Sequence, residues 1–522
     1  MVIVRLGRGL AAAYGPALIG MLLLLAVLAV NGQPSVFQDT QEYYGSANSI
    51  YHNLIHRDQI GVLRNTAGEV VTRSAASDPR TVAAESGRIL SRPIFYGLLL
   101  FPLHKLGTLW LMAAVQAALA AYVILVLWRS VLPTAPIYNY YGLMGLLAAV
   151  TPLAFFSGFA MPDIFAFIGA VAAAAALFCW DRLRPFDRAG VCVALFAALL
   201  FHTSHLMSGV LWIGLGVGLL TAAGAPLRTA GIRVLPIACA LIAAMACNLA
   251  FNLVWRADHG LRPLRPPFLA ARILADGPGR LYLREVCGKG EDWALCKYKD
   301  LPLDDNHAIL FSKDPLFGVA NVADVGALER IDREELRFVV TAVFHRPLHQ
   351  ILASLKNTAL QFVTFGPGGT MVSPTKMLNA RVGQRVGLAT LVPNAERCRV
   401  RGDCGPRIAP RFWHVIHAVG LVGALGFMIW RLSGSDVAPL IRRRERDPFG
   451  EHRAVMVSLF FAGVLIANAA ICGAMSAPAS RYQARMIAVA PLAAWLCGSA
   501  LGVRRPSRKR QDAAAGVVTE TA

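Results

Sequence analysis

The feature that most constrains this chain is a series of apolar runs. A hydrocarbon core about 30 Å thick is crossed by about 20 helical residues. Residues 10–30, 106–128, 141–160, 163–180, 189–201, 206–227, 234–255, 412–430, 455–474 and 486–503 read as spans. Residues 93–103 are apolar but too short to cross, and are expected to form a re-entrant or interfacial piece. Of 522 residues, 56% are hydrophobic and 16% are charged, against about 25% charged in an average soluble domain. Such a chain cannot cover its apolar residues with a polar surface. A soluble enzyme, a disordered chain and a collagen-like rod are excluded. The expected fold is an all-α polytopic membrane protein of about ten transmembrane helices with two large external loops.

The net charge of +20 would point to nucleic acid in a soluble protein. Here its placement says more, because short cytoplasmic segments collect Lys and Arg. With the N-terminus inside, those segments carry Arg5 and Arg8, Arg129, Arg182, Arg184 and Arg188, Arg228 and Arg233, the Arg442–Arg446 cluster, and Arg504, Arg505, Arg508 and Arg510. The short external turns carry only Arg481 and Arg485. No nucleic-acid partner is expected. Residues 10–30 exceed the apolar core of a secretory signal and are expected to stay as the first helix. His202-Thr-Ser-His205 is read as an external turn between two spans, since a single span would turn the Arg442–Arg446 cluster outward.

The chain therefore divides into a transmembrane module, 1–256, with a first external loop at 31–92. An external domain follows at 257–411, then C-terminal helices at 412–503 and a basic, disordered cytoplasmic tail at 504–522. Within the external domain, residues 345–363 place Leu348, Ile351, Leu352, Leu355, Leu360 and Val363 on one side, the pattern of an amphipathic helix on a membrane surface. The expected location is the bacterial inner membrane, with both termini cytoplasmic and the active face periplasmic. Of the ten cysteines, Cys287, Cys296, Cys398 and Cys404 lie in the external domain. In an oxidising compartment, Cys287–Cys296 and Cys398–Cys404 disulfides are plausible pairings. Zinc held by the same four is the rival reading. No Walker A pattern, dinucleotide glycine fingerprint or CxxC pair occurs.

Acid–base chemistry must come from polar groups at the span ends, where ionisable residues are functional candidates. Asp39 follows the first span, Asp163 opens the fourth, His202 and His205 mark the next external turn, and Arg481, Tyr482 and Arg485 mark the last. Two carboxylates, two imidazoles and two guanidiniums at one level suit an anionic phosphate and a hydroxyl or amine to be deprotonated. Each has a plainer reading. Asp39-Thr-Gln-Glu42 is a capping box. Asp163 complements a helix dipole. The histidines end two spans, and Arg481 and Arg485 anchor at the interface. Arg92 is a further phosphate candidate, and Tyr43 packs or stacks on a sugar. His414 and His417, three apart, are a metal pair or two satisfied helix histidines.

The order of these features resembles the GT-C superfamily of membrane glycosyltransferases, which includes protein O-mannosyltransferases and lipid A aminoarabinose transferases. The resembling pieces are Phe37-Gln-Asp39-Thr-Gln-Glu42-Tyr43-Tyr44 after the first span, Ser91-Arg92-Pro93-Ile-Phe-Tyr96-Gly97, Thr151-Pro152 through Pro162-Asp163, and Arg481-Tyr482 before the last span. They cover about the first 220 residues and the last 50; the external domain matches no named module. The resemblance implies that a sugar passes from a polyprenyl phosphate to a glycan, lipid or protein acceptor at the cell envelope, by inverting hexosyl or pentosyl transfer. It implies Asp39 as the catalytic carboxylate, Asp163 as a second acid, and Arg481 or Arg485 on the donor phosphate. Some members use a divalent metal and others none. The rival classes are a non-catalytic membrane assembly subunit and a lipid-linked-glycan transporter. A transporter would put charge near the bilayer midplane, whereas these spans hold almost none, Asn248 and Asn252 being a notable polar pair.

Overall fold

The computed structural model describes residues 2–55, 92–259, 263–371, 391, 405–433 and 452–502. Among them the chain is helical, with isolated β-bridges and no strand. The helices are α1 (Val2–Asn31), α2 (Thr40–Ile55), α3 (Phe95–Val131), α4 (Ile137–Val150), α5 (Leu153–Ser157), α6 (Ile164–Cys179), α7 (Pro185–Phe201), α8 (Thr203–Ala222) and α9 (Leu227–His259). There follow α10 (Phe268–Asp276), α11 (Pro278–Val286), α12 (Asn306–Phe311), α13 (Val325–His345), α14 (Pro347–Val363), α15 (Pro410–Ser433), α16 (Arg453–Met475), α17 (Ser480–Ala484) and α18 (Val489–Gly502).

Among the described residues, seven helices are long and apolar enough to cross a bilayer: those at Ala13–Asn31, Phe95–Val131, Ile164–Arg182, Thr203–Ala222, Leu227–Ala257, Pro410–Arg431 and Arg453–Met475. The protein is membrane-embedded. The other three expected spans fold as the shorter helices α4 (14 residues), α7 (17 residues) and α18 (14 residues). The span expected at 141–160 is interrupted. Pro152 pushes Thr151 into an extended conformation, φ −133° and ψ 159°, and ends α4 there. Residues 93–103, expected as a separate piece, run into the first of two helical segments of α3 (Phe95–Val131), which a break divides from the next span. The backbone leaves helical geometry at Gly107 and Thr108, and Thr108 takes φ 67°. Thr108 Oγ1 accepts the Trp110 N–H at 3.3 Å and restarts the helix. At His202 the chain does break into two helices, α7 and α8.

Every residue of α6 is buried, so it is the central helix. Its alanine run, 172–176, lets neighbours approach closely, as small residues do between membrane helices. Outer helices show the opposite pattern: on α9, Leu235, Ile242, Leu249 and Leu253 are exposed, as a lipid-facing surface requires. At one end of the bundle Asp181 pairs with Arg453, and with Arg233 at 3.0 Å. Tyr14 donates to Asp187 at 2.8 Å at the same end.

Helices α10–α13 form a unit with its own core, in which Leu274, Tyr282, Trp293, Ile331 and Phe338 pack together, and α14 leads from it along α16. A disulfide joins Cys287 to Cys296. Cys398 and Cys404 lie outside the described residues, as do the Arg442–Arg446 cluster and the tail from 504. The amphipathic helix expected at 345–363 is α14, separated from α13 by Arg346.

Candidate functional site

The end of the bundle opposite Asp181 gathers the candidate residues, and local chain geometry explains how. After α1, Ser35 bridges to Phe159: Ser35 N–H donates to Gly158 O at 2.9 Å, and Ala160 N–H donates to Ser35 O at 2.8 Å. Thr40 Oγ1 then donates to Ala160 O at 3.0 Å while accepting the Phe37 N–H at 2.8 Å. The segment carrying Asp39 is thus pinned to the one carrying Asp163. On its other side α2 presses on α3 at Gly97, where an added Cβ would lie 2.0 Å from Tyr43 O. Glycine is needed there for close approach.

Asp39 sits between two guanidiniums. Arg92 Nη2 donates to Asp39 Oδ2 at 2.7 Å, and Arg481 Nη2 lies 3.6 Å from the same oxygen. All three side chains keep a small opening, with exposures of 15% for Asp39, 18% for Arg92 and 12% for Arg481. The Arg481 guanidinium stacks 4.1 Å from the Phe37 ring centre and 5.1 Å from that of Tyr482, favourable cation–π geometry. Gly369 backs it, since a Cβ there would meet Arg481 Cβ at 3.1 Å.

Asp163 belongs to a second, closed pair. Arg485 Nη1 lies 3.4 Å from Asp163 Oδ1, and the side chains are 2% and 4% exposed. The other end of the guanidinium is held by α16, through Asn468 Oδ1 at 3.2 Å and Cys472 Sγ at 3.4 Å. Asn468 in turn donates to Tyr482 O and to Gln483 Oε1, both at 2.8 Å. Tyr482 lies against both arginines, its ring centre 5.5 Å from the Arg485 guanidinium carbon.

The histidines fix their own tautomers. His202 Nδ1 accepts the Ser204 N–H at 3.2 Å, so in the neutral ring the proton is on Nε2. His205 Nδ1 donates to Ala198 O at 2.8 Å, so its Nε2 is the bare nitrogen, buried without a hydrogen-bond partner among the described residues. The ring centres are 5.2 Å apart. Burial, followed by His205 and the charges of Arg92, Arg485 and Arg481, holds His202 well below the usual imidazole value. It is neutral at pH 7.

Glu42 is a site residue that the motif reading treats only as half of a cap. It is open to solvent by surface area yet hemmed in by protein, the condition of a group lining a recess. That enclosure pushes its carboxyl up to about 7, Arg92 opposing and Asp39 adding to the rise. Tyr43, one residue on, is fully buried and packs edge-on against Tyr96 at 5.3 Å, with no hydrogen-bond partner for its hydroxyl among the described residues. It is packing here and not a stacking surface for a sugar. Asn468, Cys472 and Gln483 were also missed; the available signal was a lone amide within an apolar span, which seeks a partner.

Other candidates stay apart. His417 is buried between Trp413 and Phe155, with ring centres 5.9 Å away in each case, while His414 lies against Phe365. Asn248 only donates to Ala244 O of its own helix, at 2.9 Å. A cleft walled by Asn31, Gln33, Ser35, Phe155, Thr370 and Met371 opens beside the Ser35–Thr370 contact, and none of the candidate residues lines it. Among the described residues, no group of three or more His, Cys, Asp or Glu side chains is gathered to hold a metal. Comparison of the chain with family models, with curated proteins and with solved structures finds no match.

Proposed function

We propose that this chain is an integral membrane glycosyltransferase that moves a sugar from a polyprenyl-phosphate donor to a lipid, glycan or protein acceptor on the external face of the membrane. The observation that carries the reading is Asp39, still 15% exposed between Arg92 at 2.7 Å and Arg481 at 3.6 Å, an opening we read as a recess that admits a ligand. With Arg485, three guanidiniums face the carboxylates of Asp39 and Asp163, and the third carboxyl, Glu42, is raised to about 7. The balance leaves positive charge unneutralised. A phosphate supplies the missing anion, and guanidinium forks match it bidentately.

Mechanism follows from exchange of partners. A donor phosphate entering the recess competes with Asp39 for Arg92 and Arg481. Asp39, released from part of its pairing, takes the proton from the acceptor hydroxyl or amine. The acceptor attacks the anomeric carbon from the face opposite the phosphate, the glycosidic bond to phosphate breaks, and configuration inverts. Arg92 and Arg481 stabilise the charge that grows on the leaving phosphate. Asp163 is too enclosed to meet the acceptor and serves to aim Arg485. His202, with its proton on Nε2, donates to a sugar hydroxyl. A divalent metal is not required by this scheme.

The proposed topology has ten membrane passes, α4, α7 and α18 crossing with the seven longer helices. It places both termini in the cytoplasm of a bacterial inner membrane and the recess in the periplasm. The Cys287–Cys296 disulfide supports an oxidising compartment for that side. The test is Asp39→Asn in native membranes, with transfer of label from polyprenyl-phosphate sugars to endogenous acceptors as readout. Loss of transfer with normal protein abundance is expected; full activity would remove Asp39 from the chemistry.

A further inference from the structure

Helix α14 is amphipathic in the reverse sense for a unit surrounded by water. Its amides Gln350, Asn357 and Gln361 face the protein, while Lys356 is exposed beside the leucines, where a long stem lets its charge reach the polar interface. Gln350 Nε2 and Asn357 Nδ2 each donate to Asp276 at 2.8 Å. Gln361 accepts the Ala479 N–H at 2.8 Å and donates to Ala479 O at 3.0 Å. The buried residues of α14 are Gln350 and Gln361. Its leucines face outward, with Leu348 74%, Leu352 66% and Leu355 61% exposed. Helix α13 extends the stripe through Leu336 at 68% and Phe344 at 78%.

The position of α14 identifies what covers this stripe. It lies along α16, which is long and apolar enough to cross the bilayer. The two backbones approach so closely that a Cβ on Gly473 would sit 2.6 Å from Asn357 O. A helix bound to the flank of a spanning helix shares its surroundings, and α16 also turns an apolar side chain, Ile466, outward at 57% exposure. Polar groups satisfied inward and apolar groups turned outward is the arrangement that hydrocarbon imposes on a helix.

We propose that the α13–α14 edge is embedded in the acyl chains of the bilayer leaflet at the recess end of the bundle. The unit of α10–α13, with α14, is then a lipid-held shoulder of the bundle and not a domain surrounded by water. The anchoring bears on the recess, because α14 runs directly into Gly366-Pro-Gly-Gly369, which packs on Arg481. Lipid contact at α14 therefore holds in place the loop that backs this arginine. The inference does not depend on the transfer reaction.

The test uses the full chain in liposomes of phosphatidylethanolamine and phosphatidylglycerol. The photoreactive residue p-benzoylphenylalanine is placed at Phe344, at Leu352, or, as a water-facing control, at the exposed Lys289. After irradiation, positions 344 and 352 gain the mass of one phospholipid, in yield on the order of tenfold above position 289, as burial in acyl chains requires. Equal yields at the three positions overturn the proposal. So does a chain-to-chain adduct that rises with the protein-to-lipid ratio, which would assign the stripe to a second copy. Position 344 exchanges one aromatic for another and keeps the test valid if the change at 352 prevents folding.

Discussion

The two acid–arginine pairs at one end of this bundle use the same chemistry for different ends. Asp163 and Arg485 are closed off, 4% and 2% exposed, and Asn468 and Cys472 hold the Nη2 end of the guanidinium. Asp39 and its arginines keep 12–18% of their surface, and the carboxylate is shared between Arg92 and Arg481. A buried pair closed to solvent is out of a ligand's reach. A pair held loosely at the mouth of a recess can trade one partner for an incoming anion. Type of residue and membrane depth do not separate the two; the remaining accessible surface does.

The contrast breaks most sharply at Arg485. Removing one member of a buried ion pair leaves an uncompensated charge and typically costs about 3–5 kcal/mol. Arg485→Leu strands Asp163 at 4% exposure, together with Asn468. The expected result is a large loss of folded protein, read as a lowered melting temperature in detergent. Replacing both partners, Arg485→Leu with Asp163→Leu, should recover much of it. If the single variant melts like the parent, the closed pair is not a structural lock.

Asp39→Asn is expected to do the reverse. A positioned acid–base group is worth roughly 10²–10⁴ in rate, so transfer should fall by about that factor while melting shifts little. Parallel loss of stability and transfer would make Asp39 a second Asp163, and the distinction drawn from exposure would fail.

Much of this arrangement was legible in the chain itself, and the rest was hidden for identifiable reasons. Hydropathy reports the solvent a residue prefers, so the helices emerge from it, and so does the gathering of Asp39, Asp163, Arg481 and Arg485 at one end. It averages over a window, so it passed through Thr151-Pro152, where one proline ends α4. It did separate residues 93–103 from the next span, and two residues of altered backbone divide them. Pairing was invisible: nothing in sequence spacing says that Arg92 faces Asp39 while Arg485 faces Asp163. Asn468 carried a signal, as an amide in an apolar span, but its partner lies on another element. Glu42 was explained too readily by the helix cap. The Asp39 carboxylate instead faces guanidiniums, and the α2 start is bonded through Thr40.

A milder intervention tests the framework that keeps the two pairs adjacent. Gly97→Ala would place a methyl 2.0 Å from Tyr43 O. Overpacking of this kind costs about 1–3 kcal/mol. Because α2 must yield, Asp39 should move relative to Arg92, and transfer should fall by more than the melting shift alone explains. Wild-type activity in a folded Gly97→Ala variant would mean that α2 is not what positions Asp39.

The smallest effect concerns Glu42, and it sharpens the view of the recess as an enclosed place with positive excess. Its carboxyl is raised to about 7 from an ordinary value of 4.5, so the folded state holds a proton that the unfolded chain releases earlier. The stability linked to this group is therefore fully present below about pH 4.5 and is lost as pH rises through about 7. Glu42→Gln removes the titration. Its melting temperature relative to the parent should rise from pH 5, most steeply between the ordinary value of 4.5 and about 7, and level off towards pH 8, because glutamine keeps the neutral shape when the parent becomes charged. Binding of an anion such as inorganic phosphate should also tighten in the variant at pH 8, where the parent carboxylate repels it, and match the parent at pH 5. Parallel melting curves across that range would place Glu42 in open water, and the enclosure inferred for the Asp39 side of the comparison would be lost with it.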